Sequence, residues 1–384
     1  MKWPTIVLLL VAELLAMGVW FSASAVAPAL AAAWSLDDGG KAWLTMSVQM
    51  GFVAGALVSA LLNLADRIPA HILFAISGAA AATSTASIAF ASHGLASAVL
   101  LRSLTGFFLA GVYPVGMKIV ATWTQKDRGL GIGLLVGALT LGSAGPQLLN
   151  ALGSSGDWRS VLYVASAGAA LGGLIAAAFV RQGPFRSPAP PFRWSYAGSI
   201  LRDRPVLLAN LGYLGHMWEL YAMWAWIAAY AHSSWIAFFS IAAGGPGSLI
   251  AGKLADRVGR TLITISSMAI SAACALAIGF FYASPLLAAI AIVWGFAIVA
   301  DSAQFSACVT ELCDREYLGT ALTLQTSLGF LLTMLTIRLV PLVESQIGEQ
   351  WSFSILAIGP ILGIAAMRAL RRDPASLRIA GGKR

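Results

Sequence analysis

Long apolar stretches alternate with short polar breaks along the whole chain. Twelve such stretches stand near 5–30, 42–64, 70–92, 96–123, 129–152, 159–181, 206–231, 234–254, 261–283, 286–312, 318–343 and 351–370. Crossing the roughly 30 Å hydrocarbon layer takes about 20 mainly apolar residues in one helix. Barrel strands would instead show short segments of alternating polarity. The pattern predicts an all-α membrane protein with twelve transmembrane helices, spans 1–12 in that order.

Composition supports the pattern. The chain is 59% hydrophobic and only 10% charged, with a mean hydropathy of +0.81. Soluble domains carry about a quarter charged residues, so a water-soluble fold has nowhere to hide this apolar surface. Lys2, the apolar run after it and the small residues Ser22–Ala25 also fit a cleaved signal peptide. The run continues to Leu30, however, and an uncleaved first span is expected.

The net charge of +8 is distributed in a telling way. If successive loops alternate between two sides, one side holds 19 of the 24 basic residues, including Arg67, Arg181 to Arg204, Lys253 to Arg260 and the tail from Arg368. The other side holds only Lys41 and Arg159. This positive-inside bias predicts both termini in the cytoplasm and a lipid bilayer, rather than nucleic acid, as the chain's surroundings. Cys274, Cys308 and Cys313 show no metal spacing and read as small apolar helix residues.

The stretch from Arg181 to Pro205 holds five prolines and five arginines and separates six spans from six. It reads as a linker, with a short amphipathic piece near Ser195–Leu201 suited to the membrane surface. The expected division is 1–181, 182–205 and 206–384. Leu-Ala-Asp-Arg follows the second span of each division, at 64–67 and 254–257, and Lys126-Asp127-Arg128 is echoed by Asp314-Arg315-Glu316. Equal punctuation at equal places marks an internal duplication.

These features resemble the major facilitator superfamily of secondary transporters. The resemblance rests on the six-plus-six spans, the basic central loop and Gly252-x-x-x-Asp256-Arg257-x-Gly259-Arg260 between spans 8 and 9. Thr261 stands where a further basic residue is usual, and the copy at 62–71 is degraded by Leu62, Pro69 and Ala70. Arg102-x-x-x-Gly106 looks like the family's arginine-bearing fourth helix. Gly142-x-x-Gly145-Pro146 partly matches its antiporter motif. The resemblance implies two pseudo-symmetric six-helix bundles and a cytoplasmic gate of Asp66, Arg67, Gly252, Asp256, Arg257, Gly259, Arg260 and Glu311. Glu311 is the expected partner of Arg257 or Arg260.

An ionisable group inside the bilayer costs at least about 2.5–3.5 kcal/mol, so such residues are functional candidates. Those here are Glu13, Arg102, Lys118, His216, Glu219, Asp301 and Arg338. Positions 3, 4, 7 and 11 apart share a helix face. Glu13, Trp20 and Ser24 align in span 1, and Arg102, Gly106 and Tyr113 in span 4. His216, Glu219, Met223 and Trp226 align in span 7, and Trp294, Asp301, Gln304 and Cys308 in span 10. The resemblance makes spans 1, 4, 7 and 10 the cavity wall. The expected substrate and proton pathway is therefore Glu13, Trp20, Arg102, Tyr113, His216, Glu219, Trp226, Asp301 and Gln304. Trp218, Tyr221 and Trp224 are expected to pack or to face lipid, and Gly244-Gly245-Pro246-Gly247 to form a hinge.

No phosphate loop, metal cluster or Ser/His/Asp spacing is legible, so neither an enzyme nor a cofactor is expected. The expected function is alternating-access transport, coupled to protons, of a small solute. Arg102 and Arg338 suggest an organic or inorganic anion. The Trp- and Met-rich stripes with the partial antiporter motif suggest export of an amphipathic compound instead. A non-transporting membrane sensor is the remote alternative, and a monomer is the expected state.

Overall fold

A computed structural model of the chain describes residues 2–124, 128–153, 157–185 and 192–384. Lys126 and Asp127, half of the second echo, and Arg186 of the basic loop lie outside them. No strand occurs among the described residues. Among the described residues, ten helices are long and apolar enough to cross a membrane. They include Asp38–Leu61, Ala70–Ala91, Trp158–Phe179, Ser234–Val258 and Leu318–Ile347 as spans 2, 3, 6, 8 and 11.

The two remaining spans occupy the same position in their halves, first and seventh, and each departs from a simple apolar rod. Span 1 is broken into Lys2–Met17, Ser22–Ala25 and Ala27–Trp34. Span 7 is the unbroken helix Arg204–Tyr230, diluted by Asn210, His216 and Glu219. Spans 4 and 10 break at matching depths. Span 4 divides into Leu95–Leu109 and Tyr113–Trp123, and span 10 into Leu286–Ala300 and Ser302–Leu312. Irregular backbone at membrane depth survives only where protein or a cavity satisfies it, so these breaks mark where to look for chemistry.

Helix pairings repeat across the halves. Spans 2·4, 3·6, 1·6, 1·5 and 3·4 pack together, and so do 8·10, 9·12, 7·12, 7·11 and 9·10. The halves then meet through spans 5·8 and 2·11, a pair exchanged by the same two-fold relation. The protein is therefore twelve helices in two pseudo-symmetric six-helix bundles. Small residues set the closest crossings, as expected in lipid. A side chain at Gly106 would collide with the Val48 carbonyl of span 2, and one at Gly295 with the Ser240 carbonyl of span 8.

Span 8 runs unbroken through Pro246. Gly244 packs on Val299 and Thr140, Gly245 on Leu141 and Gly247 on the Phe296 carbonyl. The glycines expected to hinge are, in this arrangement, contact points for spans 5 and 10. The linker pieces Trp194–Tyr196 and Ala197–Arg202 dock on the loop after span 10, where Tyr196 donates to Glu316. A cavity of about 160 Å³ beside them is lined by Ile200, Asp203, Cys313 and Tyr317. The tail of the chain lies on this side, the terminal face, beside the loop after span 8 and the end of span 10.

Candidate functional site

Span 1 stops being helical at residues 18–21, in mid-membrane. The freed carbonyls have no water to bond, and Arg102 of span 4 supplies the donors. Its Nε donates to the Leu44 carbonyl at 3.1 Å, its Nη1 to the Val19 carbonyl at 2.7 Å, and its Nη2 to the Trp20 carbonyl. Ser22 Oγ stands 3.5 Å from Nη1 and donates to the Val19 carbonyl at 3.0 Å. Arg102 is fully buried. In this arrangement its nitrogens are taken by backbone oxygen, where the sequence suggested an anionic solute. A planar fork with five fixed donors suits a cluster of carbonyl dipoles at a helix break.

The break in span 10 holds a different chemistry. Asp301 sits between the two pieces of span 10, 1% exposed, with its Oδ1 2.9 Å from His216 Nδ1. The atoms are at ion-pair distance without hydrogen-bond alignment, since neither has a partner by that stricter geometry. On the ring's other side His216 Nε2 lies 3.0 Å from Ser302 Oγ. The Phe305 and Tyr213 rings flank the imidazole at 5.5 and 6.1 Å. A Ser–His–Asp chain thus exists that no sequence spacing announced, because Asp301 and Ser302 are neighbours while His216 comes from another helix.

Glu219, one turn from His216, is fully buried. Its Oε2 accepts from Ser271 Oγ at 2.7 Å and from Trp294 Nε1 at 3.1 Å, while Oε1 has no partner. Both donors belong to the second half, on spans 9 and 10. Trp226 Nε1 likewise donates to the Ile337 carbonyl of span 11 at 2.9 Å, and Trp218 Nε1 to the Ile355 carbonyl at 3.0 Å. The polar stripe of span 7 therefore faces its own bundle, where a buried carboxyl finds donors.

The other face of span 7 meets the first half. Tyr221 stacks on Trp20 at 5.8 Å and on Phe21 at 5.9 Å, and Trp224 meets Phe21 edge-on at 5.6 Å. Phe52 of span 2 and Phe330 of span 11 close the group, 4.5 Å apart and each beside Trp20. Tyr221 and Trp224 are 5% and 1% exposed. The expectation that they pack or face lipid holds only in its first part: they pack, at the meeting point of the halves. Trp20 belongs to this ring group, and Ser24 is held by Thr45 of span 2.

Glu13 is fully buried, and neither carboxyl oxygen has a partner. Its Oε2 lies against Gly116 of span 4, where an added Cβ would approach to 2.8 Å. Tyr113 is partly buried beside the core at the same break. Glu13 and Tyr113 thus belong to the first bundle.

At the terminal face, Arg260 makes a bidentate contact with Glu311, at 2.9 Å from Nε and 2.8 Å from Nη2. It also donates to Gln304 Oε1 at 3.0 Å and lies 3.6 Å from Asp256. Gln304 is therefore a member of this cluster, and Arg260, not the exposed Arg257, is the partner of Glu311. The Asp256 carboxylate lies against Gly129 in the first turn of span 5, across the two halves, and Gly252 packs on the Gly129 carbonyl. In the degraded copy Asp66 pairs with Lys118 of span 4, whose Nζ also donates to the Ala65 carbonyl at 2.6 Å, while Arg67 is exposed.

The tail was not anticipated as part of this cluster. Ala380 N donates to Glu311 Oε2 at 3.0 Å, Lys383 Nζ to the Asp256 carbonyl at 2.6 Å, and Thr261 N to the Arg384 carbonyl at 3.4 Å. Arg371 Nη1 reaches Thr261 Oγ1 at 3.0 Å, bringing a cation to the corner where the sequence carries Thr261. Gly259, at φ +100°, leaves the space that the tail carbonyls fill. Only two features hinted at this: the positive φ favoured by Gly259 and the apolar Ile379, which is fully buried.

No curated protein matches the chain. The family model of the Major Facilitator Superfamily matches residues 8–234 and again residues 226–384. With the pairing of its helices, this establishes that the chain is an integral multi-pass membrane protein belonging to the Major Facilitator Superfamily, a family of secondary transporters of small molecules.

Proposed function

We propose that the protein is a proton-coupled carrier in which residues 1–181 rock against residues 206–384 about the linker 182–205. Both termini face the cytoplasm of a bacterial-type inner membrane, on the basic side of the chain. The coupling proton is held by the His216–Asp301–Ser302 chain, with Glu219 one turn away as the second station. The observation that carries this is the 2.9 Å approach of His216 Nδ1 to Asp301 Oδ1 at a helix break in mid-membrane. Imidazole is the side chain whose ordinary titration lies nearest neutrality. Ser302, less buried than its partners, stands at the ring's other nitrogen. Opening one face changes the hydration of this chain, and so its proton occupancy, as the halves move.

The test uses a solute that raises the protein's unfolding temperature, followed in proteoliposomes. Asp301→Asn and His216→Gln should abolish accumulation driven by a pH gradient, yet leave exchange at equal pH. If both variants accumulate solute at the normal rate, the proton is carried elsewhere, and Glu13 becomes the leading carboxyl. A protein that binds solute but never moves it is a sensor, and the carrier reading then fails.

A further inference from the structure

Four buried side chains on spans that carry or adjoin the ring cluster hold polar atoms with no hydrogen-bond partner among the described residues. Trp20 Nε1 and Trp224 Nε1 have no acceptor, and both amide atoms of Gln49 and of Gln147 have no partner. All four side chains are at most 1% exposed. Native proteins leave few such groups, and each calls for an explanation.

Their positions converge. Trp20 and Trp224 belong to the cluster itself, through Tyr221 and Phe21. Gln49 stands one turn from Phe52 and one turn from Thr45, the residues through which span 2 meets Trp20 and Ser24. Gln147 stands one turn from Asn150, whose Nδ2 donates to the Ala25 carbonyl at 3.0 Å and to Ser234 Oγ at 2.9 Å. The four unmet groups thus come from spans 1, 2, 5 and 7, three of them in or one turn from the ring cluster and Gln147 one turn from the tie that holds Ala25.

We infer that this is the solute site, and that it takes an uncharged, flat, largely apolar molecule carrying both hydrogen-bond acceptors and donors, such as an aromatic amide. The inference rests on the carrier reading and deepens it. Rings from both halves supply stacking faces. The indole N–H groups and amide nitrogens seek acceptors, and the two amide oxygens seek donors. A neutral solute with a carbonyl and an N–H or O–H meets both needs. A full charge finds no counter-charge in the ring cluster, and a buried unpaired charge is expensive. The nearest cation by element, Arg102 at the span 1 break, is taken by the Val19, Trp20 and Leu44 carbonyls. Glu13 lies two turns away on span 1 and rests on Gly116, off the cluster.

Three probes of one shape and different charge decide the matter: naphthamide, naphthoate and naphthamidinium. Their binding to the full-length protein in nanodiscs is measured by equilibrium dialysis, with empty nanodiscs correcting for partition into lipid. Naphthamide should bind at least tenfold more tightly than either charged probe. Gln49→Leu and Gln147→Leu, which keep volume, should each weaken it about 3- to 10-fold, the range of one lost hydrogen bond. Trp20→Phe, which keeps a ring and removes the N–H, serves as a third variant should a leucine variant be poorly expressed. Tighter binding of naphthoate or naphthamidinium, no binding of any probe, or unchanged affinity in all three variants overturns the inference. The two readings separate in proteoliposomes. Bound but unmoved naphthamide sinks the carrier, whereas pH-driven movement of a charged probe keeps the carrier and sinks this site.

Discussion

The two halves share a fold but solve the same problem with different side chains. In the first, a residue of span 4 holds the broken span 1: Arg102, donating to three carbonyls. In the second, a residue of span 7 stands beside the broken span 10: His216, against Asp301 and Ser302. Arginine does not deprotonate in proteins, so the first arrangement is a fixed stitch. Imidazole and carboxyl can both change charge, so the second can answer to pH. The two breaks lie in different members of their halves, span 1 and span 10, and the groups beside the second can change charge.

The sharpest way to break this comparison is to remove each holder in turn. Arg102→Ala removes a charged donor from each of the Val19, Trp20 and Leu44 carbonyls, and Val19 keeps only the Ser22 hydroxyl. An orphaned buried polar group costs about 1–3 kcal/mol, so the loss should exceed about 3 kcal/mol and show as a large drop in folded protein after detergent extraction. Arg102→Lys should recover little, because one ammonium cannot span acceptors matched to a planar fork. Asp301→Asn should do the reverse: an unfolding temperature close to wild type, with gradient-driven transport lost. A stable Arg102→Ala protein, or an unfolded Asp301→Asn protein, would reverse the roles assigned to the halves.

A second pair of variants compares the terminal-face clusters. Glu311 accepts a bidentate arginine and the Ala380 N–H, and its side chain is 27% exposed against 14% for Arg260. Asp66 and Lys118 form a single-point pair, 21% and 20% exposed. Bidentate arginine contacts outrank point contacts, and partly exposed pairs are discounted by solvent. Glu311→Gln should therefore cost about 1–2 kcal/mol in thermal unfolding. Asp66→Asn should cost less than about 1 kcal/mol. Equal costs would mean that the degraded copy is as strongly tied as the complete one.

The tail extends this contrast, since only the second half is strapped. Gly259→Ala meets two penalties: a φ of +100° and a Cβ driven toward the Lys383 and Arg384 carbonyls. Backbone strain of this kind costs roughly 1–3 kcal/mol unless the structure gives way. The expected relief is release of the tail, seen as faster proteolysis after Ser376 while spans 8 and 9 stay protected. A tail equally protected in wild type and variant would refute the strap.

Much of the fold was legible in the sequence, because lipid imposes one rule on every span. The predicted stretch 286–312 coincides with span 10, and 70–92 differs from Ala70–Ala91 by one residue. The breaks in spans 1, 4 and 10 were not legible, since Val19 or Val112 reads as apolar in either conformation. Periodicity placed His216, Glu219 and Trp226 on one face, and the structure agrees. Which bundle that face looks into was not in the pattern. It depends on Ser271 and Trp294, donors two and three helices away. Likewise the charge of Arg102 was visible, but its carbonyl partners arise only from a helix break.

The smallest effect lies on the face opposite the tail, where the second half ties three loops with groups that titrate. Tyr282 donates to Glu349 Oε2 at 2.6 Å, and His232 Nε2 lies 3.0 Å from the same hydroxyl and 3.4 Å from Glu349 Oε1. Tyr230 meets Tyr282 edge-on at 5.2 Å, and Glu344 stands near the group. Burial, then the Glu349 hydrogen bond and the negative charges of Glu349 and Glu344, push the Tyr282 hydroxyl up to about 12. An ordinary tyrosine titrates near 10. The folded state thus holds this proton more tightly than the unfolded one, and the linked stability is fully present below pH of about 10. It is lost as pH rises from about 10 to about 12, where the phenolate and Glu349 repel. Tyr282→Phe has no proton to lose, so its unfolding temperature should fall less steeply than wild type across that window. Below about pH 9 the variant should differ only by one partly exposed hydrogen bond, about 0.5–1.5 kcal/mol. Parallel curves for the two proteins above pH 10 would show that the Tyr282–Glu349 tie contributes nothing to the stability of the second half.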